Sequence, residues 1–204
     1  IVDLSAKRKM KGNPDELKQL LDEVESGWNT RKYIGISRHR EDEDKKTVAQ
    51  IVEEYHKWDA QNPNTIVGAE VEFDIKIGSY VLDGKIDRVE QTPDGDYVII
   101  DYKTGGKNKE IKNLNESLQL NIYAMGLEVK EKFGKLPKLV SYFYPEKEGQ
   151  KIFSYEVNQT DIDNTKQKLE KYLDLIDKGE FGADPDMIKC GWCDYKDLCD
   201  ESQA

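Results

Sequence analysis

The sequence predicts an α/β domain on a mixed central sheet: three antiparallel strands, a crossover helix, and a strand returning parallel to the third. Three observations carry this. Val71, Phe73, Ile75 and Ile77 alternate with polar residues, the period-two mark of a half-buried strand over about residues 66–77. Turn signals follow at Gly78-Ser79 and at Thr92-Pro93-Asp94-Gly95-Asp96, so three strands fold back on one another. A helical stretch over about residues 115–133 then separates the third strand from KLVSYFY, which allows a crossover and a parallel return.

The elements follow in order. NPDELKQLLDEVESGW reads as a helix, with Asn13 as cap, Pro14 in the first turn, and Asp15 and Glu16 at the positive end of the dipole. Leu17, Leu20, Leu21 and Val24 form its apolar stripe. TRKYIGISRHR reads as a linker. A second helix runs over about residues 42–59, with Val48, Ile51, Val52 and Tyr55 on one face and His56 in a surface or packing role. Strands are expected over about residues 66–77, 80–90 and 97–103. The crossover helix closes at Gly134. KLVSYFY and KIFSYEV supply two more strands, and Thr160 caps a last amphipathic helix through about Lys178. The expected division is a helical segment at 1–65, truncated upstream, a core at 66–182, and a tail at 183–204 holding every cysteine.

Bulk properties exclude several classes. The chain has 204 residues, 37% hydrophobic and 35% charged, enough for one domain with a core. No apolar run approaches the roughly 20 residues of a membrane span, so no membrane partner is expected. No secretion signal is present and the cysteine count is odd, so a disulfide framework is not expected; the expected location is cytoplasmic. The chain begins at Ile1 rather than Met and is expected to be a piece of something longer. A net charge of −10 argues against a general nucleic-acid binder. The basic residues nevertheless cluster: Lys7, Arg8, Lys9 and Lys11; Arg31, Lys32, Arg38, His39 and Arg40; Lys103, Lys107, Lys109 and Lys112. A solvated face is the plain reading of each.

The chemistry concentrates in GKIDRVEQTPDGDYVIIDYKTGG, Gly84 to Gly106. Centring the turn on Asp94 sets Asp87 opposite Asp101 across the hairpin, with Lys103 two residues on and on the same face. Directly opposed Cβ atoms lie roughly 4.5–5.5 Å apart. Two carboxylates that close repel by about 4 kcal/mol at an effective dielectric of about 20. A shared proton or a divalent cation offsets that. Mg²⁺ favours one or two carboxylates plus waters and phosphate oxygens. An acid pair with a lysine beside it suits phosphodiester hydrolysis, the metal activating water and the lysine stabilising negative charge. The competing reading is a salt bridge at a sheet edge. Thr104-Gly105-Gly106 gives a flexible turn where backbone can approach a phosphate, and the lysine-rich loop follows.

These residues resemble a known family. G-K-I-D-R-V followed by V-I-I-D-Y-K-T-G is similar to the nuclease domain of RecB- and AddB-type helicase-nucleases, in the PD-(D/E)XK superfamily. Gln119-Leu120-Asn121-Ile122-Tyr123 resembles that family's Q-x-x-x-Y motif, and Cys190, Cys193 and Cys199 resemble the C-x₂-C-x₅-C of its iron–sulfur members. The resemblance covers about Glu70 to Cys199. It implies a restriction-endonuclease-like fold and a metal-dependent DNA exonuclease, part of or partner to a DNA-repair helicase. Asp87 and Asp101 would bind Mg²⁺ or Mn²⁺, with the Tyr102 main-chain carbonyl as a further ligand, and Lys103 would be the catalytic lysine. Gln119, Tyr123, Thr104 and Lys107 would contact DNA or brace the site. Arg88 falls on the opposite face, where a structural ion pair is expected, and Glu70 matches a frequent family acid with a structural reading. The relevant members also carry an upstream helix with a metal-binding His and a first cluster cysteine. Neither is found here, and the chain is expected to start after them.

The cysteines leave three readings open: a 4Fe–4S cluster in the intact protein, a zinc site with an outside ligand, or reduced thiols. Two further functional readings stand beside the helicase-linked nuclease. One is a CRISPR-associated RecB-like exonuclease; the other is a non-catalytic DNA-binding or scaffold module that keeps the fold.

Overall fold

The computed structural model describes residues 1–35, 37–105 and 111–203. The chain forms two compact units, residues 1–166 and 167–204. The first holds α1 (Val2–Met10), α2 (Leu17–Gly27), α3 (Arg38–Gln61), β1 (Thr65–Ile77), β2 (Tyr80–Gln91), β3 (Tyr97–Tyr102), α4 (Leu118–Val129), β4 (Leu139–Phe143), β5 (Ile152–Glu156) and the start of α5 (Gln159–Asp177). The second holds the rest of α5 and α6 (Met187–Trp192).

The five strands form one sheet in the order β1-β2-β3-β4-β5. β1, β2 and β3 run antiparallel, β3 and β4 parallel, and β4 and β5 antiparallel. The expected α/β fold with its mixed sheet is therefore present, and it is that of the restriction-endonuclease-like class. The turn at Thr92–Asp96 closes with Gly95 at φ 86, where a side chain would be strained. It sets Arg88 opposite Ile100 and Gln91 opposite Tyr97, the register expected from a turn centred on Asp94.

Tyr55 of α3 packs with Val98 and Ile100 of β3 and Phe143 of β4, and Trp58, Tyr102 and Ile152 close around them. A second cluster, Leu20, Val24 and Val52, joins α2 to α3. Arg88 is fully buried beside these aromatics. Its guanidinium lies 2.7 Å from Asp59 and 2.6 Å from Glu90, and stacks over the Trp58 ring at 4.7 Å. Two acids and an aromatic face compensate the buried cation, which is the condition for keeping a charge out of water.

Several local expectations are corrected. Residues 2–10, given no helix of their own within the expected helical segment at 1–65, form α1, which buries Ser5 and Ala6. Asn13 does not cap α2; the helix begins at Leu17 with Glu16 at the cap position. The expected linker holds a 3₁₀ turn at Thr30–Tyr33, and α3 starts at Arg38, where the Ser37 side chain accepts the Arg40 N–H. The crossover helix is shorter than expected: a 3₁₀ turn at Leu114–Glu116 precedes α4, which Ser117 caps by accepting the Leu120 N–H. Asn158, not Thr160, accepts the Asp161 N–H at the start of α5.

Candidate active site

The site forms where β3 ends beside α4. Lys103 follows the last residue of β3, and its N–H donates to the Phe143 carbonyl of β4, which carries the parallel pairing one residue further. The Lys103 ammonium lies 2.6 Å from Asp101 Oδ2 and donates to Gln119 Oε1 at 2.7 Å. Gln119 Nε2 donates to Asp101 Oδ1 at 3.2 Å and to the Tyr123 hydroxyl at 3.0 Å. Gln119 and Tyr123 are one helical turn apart on α4, which is why one amide reaches both. Asp87 Oδ2 accepts the Tyr102 N–H at 2.9 Å, a backbone donor at the end of β3 that the acid side chain takes up.

Electrostatics report that the two acids share this space. The Asp87 pKa is pushed up to about 6, first by burial, with the Tyr102 N–H opposing and the charges of Asp101 and Asp3 adding. Burial raises Asp101 as well, against the pull of Lys103. The charges of both acids act on the Tyr123 hydroxyl, whose pKa rises to about 12, chiefly by burial. The sequence-predicted Asp87, Asp101, Lys103, Gln119 and Tyr123 thus come together. Thr104 is exposed, and Lys107 lies outside the described residues. The Gly105 N–H donates to Glu146 at 2.8 Å, so in this structure that amide faces a carboxylate rather than open space.

Glu70 sits in a strained part of β1. Ala69 pairs with Arg88 and Val71 with Ile86, leaving Glu70 and Asp87 between them, and Glu70 takes φ 50. A non-glycine residue there is uncommon, and such strain gathers at functional sites. Glu70 is ion-paired with Lys7 and lies 3.7 Å from Lys85, and the Lys7 bond holds its carboxyl below the usual range. Arg8 pairs with Asp15 at 2.5 Å and Lys9 with Asp59 at 2.7 Å. Much of the first basic cluster is therefore neutralised inside the fold.

Sequence reasoning missed three contributors. Asp3 of α1 has a buried Oδ1 without a hydrogen bond, and its carboxyl is raised by burial and then by Glu70. Tyr142 of β4 pairs in register with Asp101, and its ring lies under the Lys103 ammonium at 4.9 Å. Ser117 lies 2.7 Å from the Tyr142 hydroxyl. The acids fit a hard cation. They are two buried or partly buried carboxylates held up in pKa, with Asp101 Oδ2 out of water beside Lys103. Among the described residues no three Asp, Glu, His or Cys side chains gather as a ligand group.

The cysteines fit a metal cluster less well. Cys190 is buried, Cys193 and Cys199 are exposed, all are free thiols, and they form no three-ligand group among the described residues. The site gives no support to a closed iron–sulfur or zinc centre.

The mixed sheet brings Asp87 of β2 together with Asp101 and Lys103 at the end of β3, the arrangement expected of a nuclease-type domain. The chain belongs to the PD-(D/E)XK nuclease superfamily, whose family model matches residues 2–200. It is similar to the solved structure of SSO0001, with 19% identity over 90% of this chain and 93% of that one, at a TM-score of 0.43. It is also similar to a candidate exonuclease from Eubacterium rectale, with 15% identity over 97% of this chain and 72% of that one, at a TM-score of 0.47. No curated protein matches the chain. No helix among the described residues is long and apolar enough to cross a membrane.

Proposed function

We propose that this chain is a Mg²⁺- or Mn²⁺-dependent DNA nuclease domain of exonuclease type, working as part of or beside a helicase in DNA repair. One observation carries the chemistry: Lys103, Asp101 and Gln119 interlock at 2.6–3.2 Å at the end of β3, with Asp87 held beside them by the Tyr102 N–H. The helicase link rests on the resemblance of the D-Y-K-T-G and Q-x-x-x-Y segments.

In this reading Asp87 and Asp101 hold the cation, with the Tyr102 carbonyl as the candidate third oxygen. The cation would supply Lewis-acid activation of the phosphate and of a water. Lys103 supplies positive charge where negative charge builds on the phosphate oxygens. Gln119 hydrogen-bonds both Asp101 and Lys103, and the Tyr123 hydroxyl accepts from the same amide. A net charge of −10 leaves much of the DNA affinity to other domains or subunits.

The closed Lys103–Asp101 ion pair favours a second reading, a DNA-binding scaffold that keeps the fold without cleavage. One assay decides between them. Single-stranded DNA is incubated with the protein and Mg²⁺ or Mn²⁺, beside the Lys103→Ala variant. The nuclease reading expects cleavage that falls by roughly 10²–10³-fold in the variant, the size of loss seen when one charge-stabilising donor is removed. Cleavage indifferent to the substitution would mean the site is misassigned. A fully inert wild type under either metal would leave the scaffold reading standing.

A further inference from the structure

We propose that Tyr142 is a positioning residue that holds the Lys103 ammonium in the site through its ring face and fixes the Gln119 amide through its hydroxyl. The proposal deepens the nuclease reading and rests on it.

The parallel pairing of β3 with β4 sets Tyr142 beside Asp101, one strand over. Its ring lies under Lys103 Nζ, 4.9 Å from the centroid, inside the range where a cation is attracted to a π face. The ring is itself steadied edge-on by Tyr144, with centroids 6.1 Å apart. The Tyr142 hydroxyl donates to Gln119 Oε1 at 3.4 Å and lies 2.7 Å from Ser117 Oγ. Ser117 Oγ also accepts the Leu120 N–H at 3.3 Å, so the hydroxyl chain is anchored to the start of α4. Gln119 Oε1 accordingly faces two donors, Lys103 and Tyr142, while Nε2 faces two acceptors, Asp101 and Tyr123. That arrangement sets which way the amide points.

The consequence concerns Lys103 when Asp101 is engaged elsewhere. Its ammonium has three supports: the Asp101 carboxylate, the Gln119 amide oxygen and the Tyr142 ring. A cation on Asp101 competes for the carboxylate and repels the ammonium. Gln119 and Tyr142 are uncharged, so they keep Lys103 beside the acids without competing for the cation. A lysine stem is long and flexible, and two such supports confine it.

The test compares Tyr142→Phe, which keeps the ring, with Tyr142→Leu, which removes it. Three quantities are read: single-turnover cleavage of single-stranded DNA, Mn²⁺ affinity by calorimetry, and the ring-current shift of the Lys103 ε-methylene protons by NMR. Tyr142→Leu is expected to lose the upfield shift and cleave about tenfold more slowly, the scale of one partly desolvated cation–π contact. Its Mn²⁺ affinity stays within about twofold of wild type and its KM within about threefold, since the ring touches neither cation nor DNA backbone in this assignment. Tyr142→Phe is expected to keep the shift and to lose less rate than Tyr142→Leu, the loss being the share of the hydroxyl that steadies Gln119. Wild-type cleavage in Tyr142→Leu, a rate loss in Tyr142→Phe as large as in Tyr142→Leu, or a parallel collapse of Mn²⁺ affinity overturns the proposal. Should Tyr142→Leu fail to fold, the wild-type nuclear Overhauser contact between the Tyr142 ring and Lys103 decides, and its absence overturns it. A wild type that shows this contact yet cleaves nothing overturns the nuclease reading alone.

Discussion

Asp87 is a partly buried acid whose pKa stands at about 6 against an ordinary 3.8, burial being the main cause. The folded state therefore holds this proton more tightly than the unfolded chain. The carboxyl contributes stability below about pH 4, and that contribution is lost as pH rises through about 6. At pH 8 without metal, the protein carries an ionised Asp87 next to Asp101 and Asp3 at a cost. Asp87→Asn removes that charge while an amide oxygen can still accept the Tyr102 N–H. The variant should be more stable than wild type at pH 8 in EDTA, by about 1 kcal/mol after discounting for solvent screening. The gain should vanish near pH 4. Urea unfolding at the two pH values reads it, and an equal gain at both would show that the charge is not the cause. Glu70 behaves oppositely, because Lys7 lowers its carboxyl and its contribution is lost only as pH falls through the acid range.

At the scale of elements, α4 carries Gln119 and Tyr123 on a helix packed closely against β1. Phe73 of β1 is buried and lies between Gly84 of β2 and Gly126 of α4. A Cβ added at either glycine would fall 2.5 Å from the ring. The same ring meets Tyr123 edge-on, with centroids 5.9 Å apart, so the glycines bring β1 close enough to brace a site residue. Alanine is favoured over glycine in a helix by up to about 1 kcal/mol, but overpacking a filled core costs about 1–3 kcal/mol. Gly126→Ala should therefore lower the urea midpoint, with a net loss of about 1–2 kcal/mol, and a rise in the midpoint would refute this account of the packing. The hairpin and α4 were legible in the sequence because their signals are local: period two in β1, the turn at Thr92–Asp96, the four-residue spacing of Gln119 and Tyr123. α1 was not legible, because it buries only the small Ser5 and Ala6 and has no apolar stripe to count. Tyr142 was not legible for a different reason. Its place beside Asp101 depends on where the crossover lands β4 against β3, and no pattern within either strand states that register. Asp3 reaches the acids only through the docking of α1 against β1 and β2.

At the scale of the whole molecule, a chain of net charge −10 places an acid pair in a site whose local positive charge comes from Lys103. If the acid pair holds a cation as proposed, binding stabilises the fold, because a ligand that binds only the native state adds RT ln(1 + [L]/Kd), about 2.7 kcal/mol at a hundredfold excess over Kd. For a domain of this size each kcal/mol moves Tm by roughly 2–4 °C. Saturating Mn²⁺ should thus raise the Tm of the metal-free protein by roughly 5–10 °C. An acidic surface also attracts divalent ions without any site, so the shift alone would not locate them. Working at about 0.15 M salt, where the Debye length is about 8 Å, suppresses the surface contribution and spares the buried one. Asp101→Asn should then lose most of the shift. Lys103→Ala should keep or enlarge it, because the ammonium that competes for Asp101 is gone. The two variants separate cation binding from catalysis, since both are expected to be slow nucleases but only one to be blind to the metal. If Mn²⁺ raised the Tm of Asp101→Asn as much as that of wild type, the cation would be sitting on the acidic surface, and the Asp87–Asp101 pair would be no metal site.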